Sequence, residues 1–354
     1  MRNKFLTAAR SFVLLLFVLL ATSARAGDID YTKAYHPLIN KAEISILEKD
    51  YAAALSHYQQ AFKAVPTPFA RDYYNAAVCA MLLKEKNESL DCLEKLAAKG
   101  ISIDYLAKQP VFDSLQTTKQ WRKFKRKYPK YRQQYEKQVN LDLRADLEEL
   151  HARDQYFRQA EGGLRVYGDT LRKIEVANTK QFLQWVEQYG YPGESLIGVA
   201  DTLEQLPRFS IIIQRQTKAR NGHDFSKVLA EAVKQGRLSP QAAAYLIEQQ
   251  VGRSKYGSKA YVKISCSTCE GKNSLDGMNS YLEEKRSEKE LLTIDANRKL
   301  LGLEPFNDYK KKVLYNTEDR RFKLGYAWSV VNYQVPSKEA AKVMMDNFVV
   351  ADTK

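Results

Sequence analysis

A mainly α-helical fold is expected for this chain, and three observations predict it. Apolar residues recur at helical spacing along most of its length. Helix start and stop residues bracket those stretches. Segments that read as extended are few and lie toward the C-terminal end. The most legible stretch is 50–66, DYAAALSHYQQAFKAVP. Ala54 and Ala61 lie seven apart on one helical face, with Tyr58 between them. Small residues there let a second helix approach closely, and Pro66 stops the helix.

The segments before and after this stretch pair with it. Residues 37–49 read as a first helix, with Leu38, Ala42 and Ser45 on its apolar face and Ile39 and Ile46 alongside. Lys49-Asp50 is the turn. Residues 69–84 form the next helix, with Ala76, Ala77 and Ala80 as its close-packing face. After a turn at 85–87 the chain returns along 88–99 with Leu90, Leu93 and Leu96, and Gly100 is a natural stop. The two hairpins repeat at about 34 residues and resemble tetratricopeptide repeats. Two units bury little alone, so residues 101–128 are expected to cap them through Phe112, Leu115, Trp121 and Phe124. Residues 27–128 thus make a helical repeat region.

The first 26 residues read as a signal peptide. Arg2 and Lys4 give a basic start, SFVLLLFVLL is an apolar run too short for an ordinary span, and Ala24-Arg25-Ala26 offers a cut before Gly27. The expected location is periplasmic or secreted. The chain has 354 residues, 44% of them hydrophobic, which suits one large or two ordinary domains. Removing 1–26 takes four basic residues and no acid, so the formal charge falls from +14 to +10. On an exported protein that charge points to anionic envelope lipid or glycan, or only to solubility, and argues against nucleic acid.

Residues 119–137 hold most of the local charge, nine Lys and Arg against the single acid Glu136. Trp121, Phe124, Tyr128, Tyr131 and Tyr135 recur at intervals of 3 and 4 on one helical face. Two readings stand: a buried aromatic stripe with a solvated basic face, or an anion-binding patch centred on Lys123, Arg126 and Lys127. Pro129 reads as the first-turn residue of a new helix.

Residues 129–315 form the second expected domain and 316–354 a C-terminal extension. Leu143, Leu147, Leu150 and Asp154 mark a long amphipathic helix ended by Gly162-Gly163. Asn178, with Gln181 three residues on, reads as the cap of another helix running to Tyr189. Residues 203–219 are favoured as helix, Ser239-Pro240 starts a further one, and Asp295 caps a short one. Residues 260–264 and 324–335 read as extended, 281–291 as helical or exposed, and Ser337 caps a final helix through Phe348.

Several phrases of this region occur together in a bacterial domain family of unknown function. They are Arg153-Asp154-Gln155 with Arg158, Asn178 before Tyr189-Gly190-Tyr191-Pro192, Gly198, Gln214, Ala244-Tyr245-Leu246, Tyr256-Gly257, and Arg298 with Leu301-Gly302-Leu303-Glu304-Pro305. Residues 141–312 resemble that family. Arg215 stands where members often carry His, and Glu248-Gln249 where they tend to have Asp-Arg. The resemblance implies no reaction; it marks Asp154, Arg158 and Asn178 as candidate binding residues.

No established catalytic constellation is present. Cys266 and Cys269 form a CxxC without further metal ligands, and in an oxidising compartment a loop disulfide is the plain expectation. Cys79 and Cys92 are either buried thiols or a pair across the second hairpin. The four His form no zinc-helix motif, and no phosphate loop, dinucleotide fingerprint or nucleophile elbow appears. Neither a cofactor nor a metal is expected. The expected function is an exported interaction or scaffolding protein that holds a protein or peptide partner on its repeats. The alternatives are an envelope-acting hydrolase using the second domain, or an anionic lipid or glycan binder through 119–137.

Overall fold

The computed structural model describes residues 29–199, 203–252, 254–266, 269 and 275–351. The expected signal peptide lies outside the described residues. The fold is mainly α with a small sheet.

Helices α1 (His36–Leu47) and α2 (Tyr51–Ala64) form the first hairpin, α3 (Ala70–Leu82) and α4 (Lys86–Ala98) the second. Each turns on a lysine with positive φ, Lys49 at 61° and Lys84 at 64°. Asp50 caps α2, its carboxylate accepting from the Ala53 N–H at 2.9 Å. Ala54, Tyr58 and Ala61 are fully buried, as are Ala76, Ala77 and Ala80. Small residues let the backbones close, and Tyr58 fills the space between.

Helix α5 (Lys119–Gln138) lies on α4 and is continuous through Pro129, which therefore does not begin a new helix. A proline inside a helix forfeits one hydrogen bond and crowds the preceding turn. The apolar stripe runs on past it: Trp121, Phe124 and Tyr135 are buried, and Tyr128 and Tyr131 pack at the edge of the same core. Tyr128 donates to the Ile101 carbonyl and Arg132 to that of Gly100, so the helix is held on both sides of the proline.

Helices α6 (Leu141–Gln159) and α7 (Gly163–Tyr189) form a long hairpin with Gly162 in the left-handed region at its turn. Asn178 does not cap a helix. It lies inside α7, buried, and donates to the Leu150 carbonyl of α6 at 3.1 Å. A mid-helix Asn is tolerated when its amide finds a neighbouring backbone, as here. Helices α8 (Ser210–Arg215), α9 (Ser226–Lys234) and α10 (Pro240–Val251) complete the second core, around Phe182, Phe209 and Phe225. Ser239 caps α10 as its sequence implies.

Strand β1 (Tyr261–Cys266) has antiparallel β2 (Leu282–Glu284) on one side, so 281–291 is partly strand. Helix α11 (Glu288–Leu300) starts at a capping box, Ser287 with Glu290. Asp295 is thus internal to α11, and its carboxylate instead accepts from the Phe306 N–H at 2.7 Å, capping the start of α12 (Phe306–Glu318). Strand β3 (Val330–Val335) runs parallel to β1, α13 (Lys338–Met345) follows, and β4 (Phe348–Val350) pairs with β2. The last helix therefore stops short of Phe348, which belongs to a strand. The order is β3-β1-β2-β4.

Packing crosses the boundaries expected at 128 and 315. Val199, Leu203, Phe322 and Leu324 belong to the core of the two hairpins. Of the extended stretch 324–335, only 330–335 is strand; its first residues lie against α3. There the Lys323 N–H donates to Asn75 Oδ1 at 2.8 Å, and Asn75 Nδ2 donates to the Lys323 carbonyl at 3.3 Å. Arg71 donates to the Lys323 carbonyl and to that of Gly325, and stacks on Tyr326 at 3.9 Å. The second hairpin thus holds residues 323–326 of the same chain. Asn75 is fully buried, so Asn75→Ala strands a main-chain donor and acceptor. The expected cost is about 2 kcal/mol in urea unfolding. A change under about 0.5 kcal/mol would show that water replaces the amide.

Candidate functional site

The residues singled out from the sequence fall in two places. Asp154 is buried between α6, α7 and α8. Arg158 donates to it at 3.2 Å and Gln155 at 2.8 Å, and Arg215 approaches at 3.6 Å. Arg158 also pairs with Glu175 of α7. Arg215 thus supplies charge to the same carboxylate. Asn178 reaches α6 one turn away. These residues form a lock among three helices, with each charge answered by another. On α5, Lys123 and Arg126 are exposed, and Lys127 reaches Glu94 at 3.7 Å. The aromatic stripe faces inward, so it is not available to stack on a ligand beside those cations. The CxxC is closed as a Cys266–Cys269 disulfide. Cys79 and Cys92 are free and buried, and burial pushes both thiols up to about 12.

A third place was not marked as a site by the sequence. Where the hairpins meet the rest of the chain, a cavity of about 160 Å³ lies among α1, the start of α3, residues 191–199 and 203–207, the start of α10, and α12. Its wall is held by ionic groups far apart in sequence. Lys312 lies between Glu43 of α1 and Glu304, at 2.5 and 2.6 Å. Arg298 backs Glu304 at 3.4 Å, and Gln241 donates to it at 3.1 Å. Burial works against the charge of Glu304, but Lys312 and Arg298 outweigh it and hold the carboxyl below its ordinary range. Burial likewise opposes the charge of Lys312, and its two carboxylates overcome that and hold its pKa up.

Several of the resemblance phrases converge behind this wall. Arg298 donates to the carbonyls of Tyr256 and Glu304, at 2.8 and 2.6 Å. Glu248 accepts from the N–H groups of Tyr256 and Ser258. Gly257, at φ 64°, sits against the Phe306 ring, where a Cβ would collide at 2.4 Å. The Tyr-Gly, Arg and Leu-Glu-Pro phrases are one structural joint.

The opposite wall comes from the hairpins. Glu194 accepts from the Ala70 N–H at 2.9 Å and so caps α3, which has no cap of its own side chain. Tyr35 donates to Asp72 at 2.6 Å. Burial, reinforced by Glu43, pushes the Asp72 carboxyl up to about 7. His36 stacks on Phe69, and burial lowers its imidazole to about 3, so it is neutral. Three buried polar atoms on residues of this lining lack a hydrogen-bond partner: His36 Nε2, Tyr191 Oη and Gln241 Oε1.

Among the described residues no group of three or more His, Cys, Asp or Glu is arranged to hold a metal, and no helix is long and apolar enough to cross a membrane. No family model, curated protein or solved structure matches this chain.

Proposed function

We propose that this is an exported binding protein whose ligand is a small molecule seated in the cavity between the hairpins and the rest of the chain. The observation that carries the reading is the cavity itself, lined by the hairpins on one side and by residues 191–199, 203–207 and 237–242 on the other. A mostly apolar cavity with a few convergent polar groups is the usual form of a ligand site. Export rests on the basic, apolar and Ala-Arg-Ala segments of 1–26, and the Cys266–Cys269 disulfide suits an oxidising compartment. The partner-docking reading of the repeats is weaker for the position of 322–326, which lies against α3.

The test is Leu206→Trp, at a half-buried lining position where a larger ring fills the space. After incubation in envelope extract, native mass spectrometry of the parent is expected to show a small-molecule adduct that the variant lacks. Bare mass for both, or equal adducts on both, would sink the proposal. An enzymatic reading has Asp72 in its favour, with its carboxyl near 7 as a general acid requires. Consumption of the recovered ligand by the parent, and not by Asp72→Asn, would replace binding by catalysis.

A further inference from the structure

We propose that the outer face of α5 lies flat against an anionic lipid bilayer. This face shares no residue with the cavity. Residues 119–137 hold nine Lys and Arg against one acid, so they carry eight of the +10 formal charge of residues 27–354. The remainder is close to neutral. Charge that served only solubility would be spread over the surface with both signs interspersed.

The continuity of α5 through Pro129 puts that charge in one row. At about 100° per residue, Lys119, Arg122, Lys123, Arg126, Lys130 and Lys137 fall within an arc of about 120°. All six are exposed, and the arc holds otherwise only Gln133 and Gln134. The opposite side carries Trp121, Phe124 and Tyr135, which are buried. Lys127 is turned to the flank and answered by Glu94 at 3.7 Å, and Arg132 is answered by Glu136 at 3.9 Å. Among the described residues the six have no acid at ion-pair distance. From Lys119 to Lys137 the row is about 27 Å long.

The row works against the helix that carries it. Like charges four apart repel, as in Lys119 with Lys123, Arg122 with Arg126, and Arg126 with Lys130. The helix dipole favours acids in the first turn, and this turn has none. Helix stability alone would select the opposite pattern. An anionic plane relieves the repulsion, and a straight row meets a plane along its whole length. The aromatic side is spent on the core, so nothing on the outer face inserts between lipid chains. Attachment is by charge alone, reversible and sensitive to salt. A single-stranded nucleic acid would need exposed rings to stack on, and this face has none.

Cosedimentation of the full mature chain with vesicles tests this, using phosphatidylcholine alone and phosphatidylcholine mixed with phosphatidylglycerol. Binding is expected to the mixed vesicles only, and to fall about tenfold or more between about 50 and 200 mM salt. Lys123→Glu, Arg126→Glu and Lys130→Glu together are expected to weaken it about a hundredfold, with the urea midpoint kept. The same net change made at exposed Lys63, Lys173 and Lys227, each to Glu, is expected to leave binding within about threefold. Equal losses in the two triple variants would assign the effect to net charge and overturn the proposal. So would equal binding to phosphatidylcholine alone, or no binding to the mixed vesicles at low salt. Heparin bound more tightly than the mixed vesicles, and lost in the α5 variant, would replace the bilayer by a soluble polyanion.

Discussion

Lys312→Met is expected to destabilise the protein by about 3–5 kcal/mol, because it leaves buried carboxylates without their cation. Lys312 is 2% exposed and touches Glu43 and Glu304, which come from opposite ends of the chain. Arg298 still faces Glu304 in the variant, so Glu43 is the group left bare. Adding Glu43→Leu removes that bare charge. An apolar pair of similar volume is often as stable as the buried ion pair it replaces, so the double variant is expected to recover at least half of the loss. Urea unfolding of parent, both single variants and the double variant closes the cycle. Additive costs, or a Lys312→Met midpoint near that of the parent, would show that the lysine does not bind the two halves together. The effect also bears on the cavity. If the joint loosens, the walls carrying His36 and Gln241 separate, and ligand affinity falls with stability.

The sequence was informative where structure is local. The hairpins are legible because Ala54, Tyr58, Ala61 and Ala76, Ala77, Ala80 write their packing in a single stretch of chain. Caps such as Asp50 and Ser239 act within three residues, so they too can be read directly. Asp295 and Asn178 have the composition of caps, but their partners lie on other segments, and only the fold shows which. Asp295 caps the helix after its own, and Asn178 reaches across a hairpin. Pro129 was misleading because a local penalty was overruled by an aromatic stripe anchored on both sides of it. The cavity was illegible for the same reason on a larger scale. Glu43 and Lys312 are 269 positions apart, and nothing in either neighbourhood marks it as half of a pair. Arg298 and Glu304 stand close together in one sequence phrase, but their role as the back of the wall depends on Lys312 and Gln241 from other segments. Asp154, Arg158 and Asn178, expected as binding residues, lie near one another and tie helices together.

Opposite acid responses are expected from His36→Phe and Asp72→Asn, although both residues line one cavity. Burial sets the imidazole of His36 at about 3, below its ordinary 6.5. The stability that neutral His36 brings is therefore full above about 6.5, and is lost as pH falls toward 3. Burial sets Asp72 at about 7, above its ordinary 3.8. The stability that protonated Asp72 brings is full below about 3.8, and is lost as pH rises through 7. Between pH 7 and 4.5 each contributes a change of roughly 3 kcal/mol, with opposite sign. The lowered carboxyl of Glu304 stays charged across that window. The parent is thus expected to hold a nearly level urea midpoint from pH 7 to 4.5. Asp72→Asn exposes the histidine, so its midpoint falls on acidification. His36→Phe, which keeps a ring against Phe69, exposes the aspartate, so its midpoint rises. Three parallel profiles would mean that neither group is desolvated by the cavity wall.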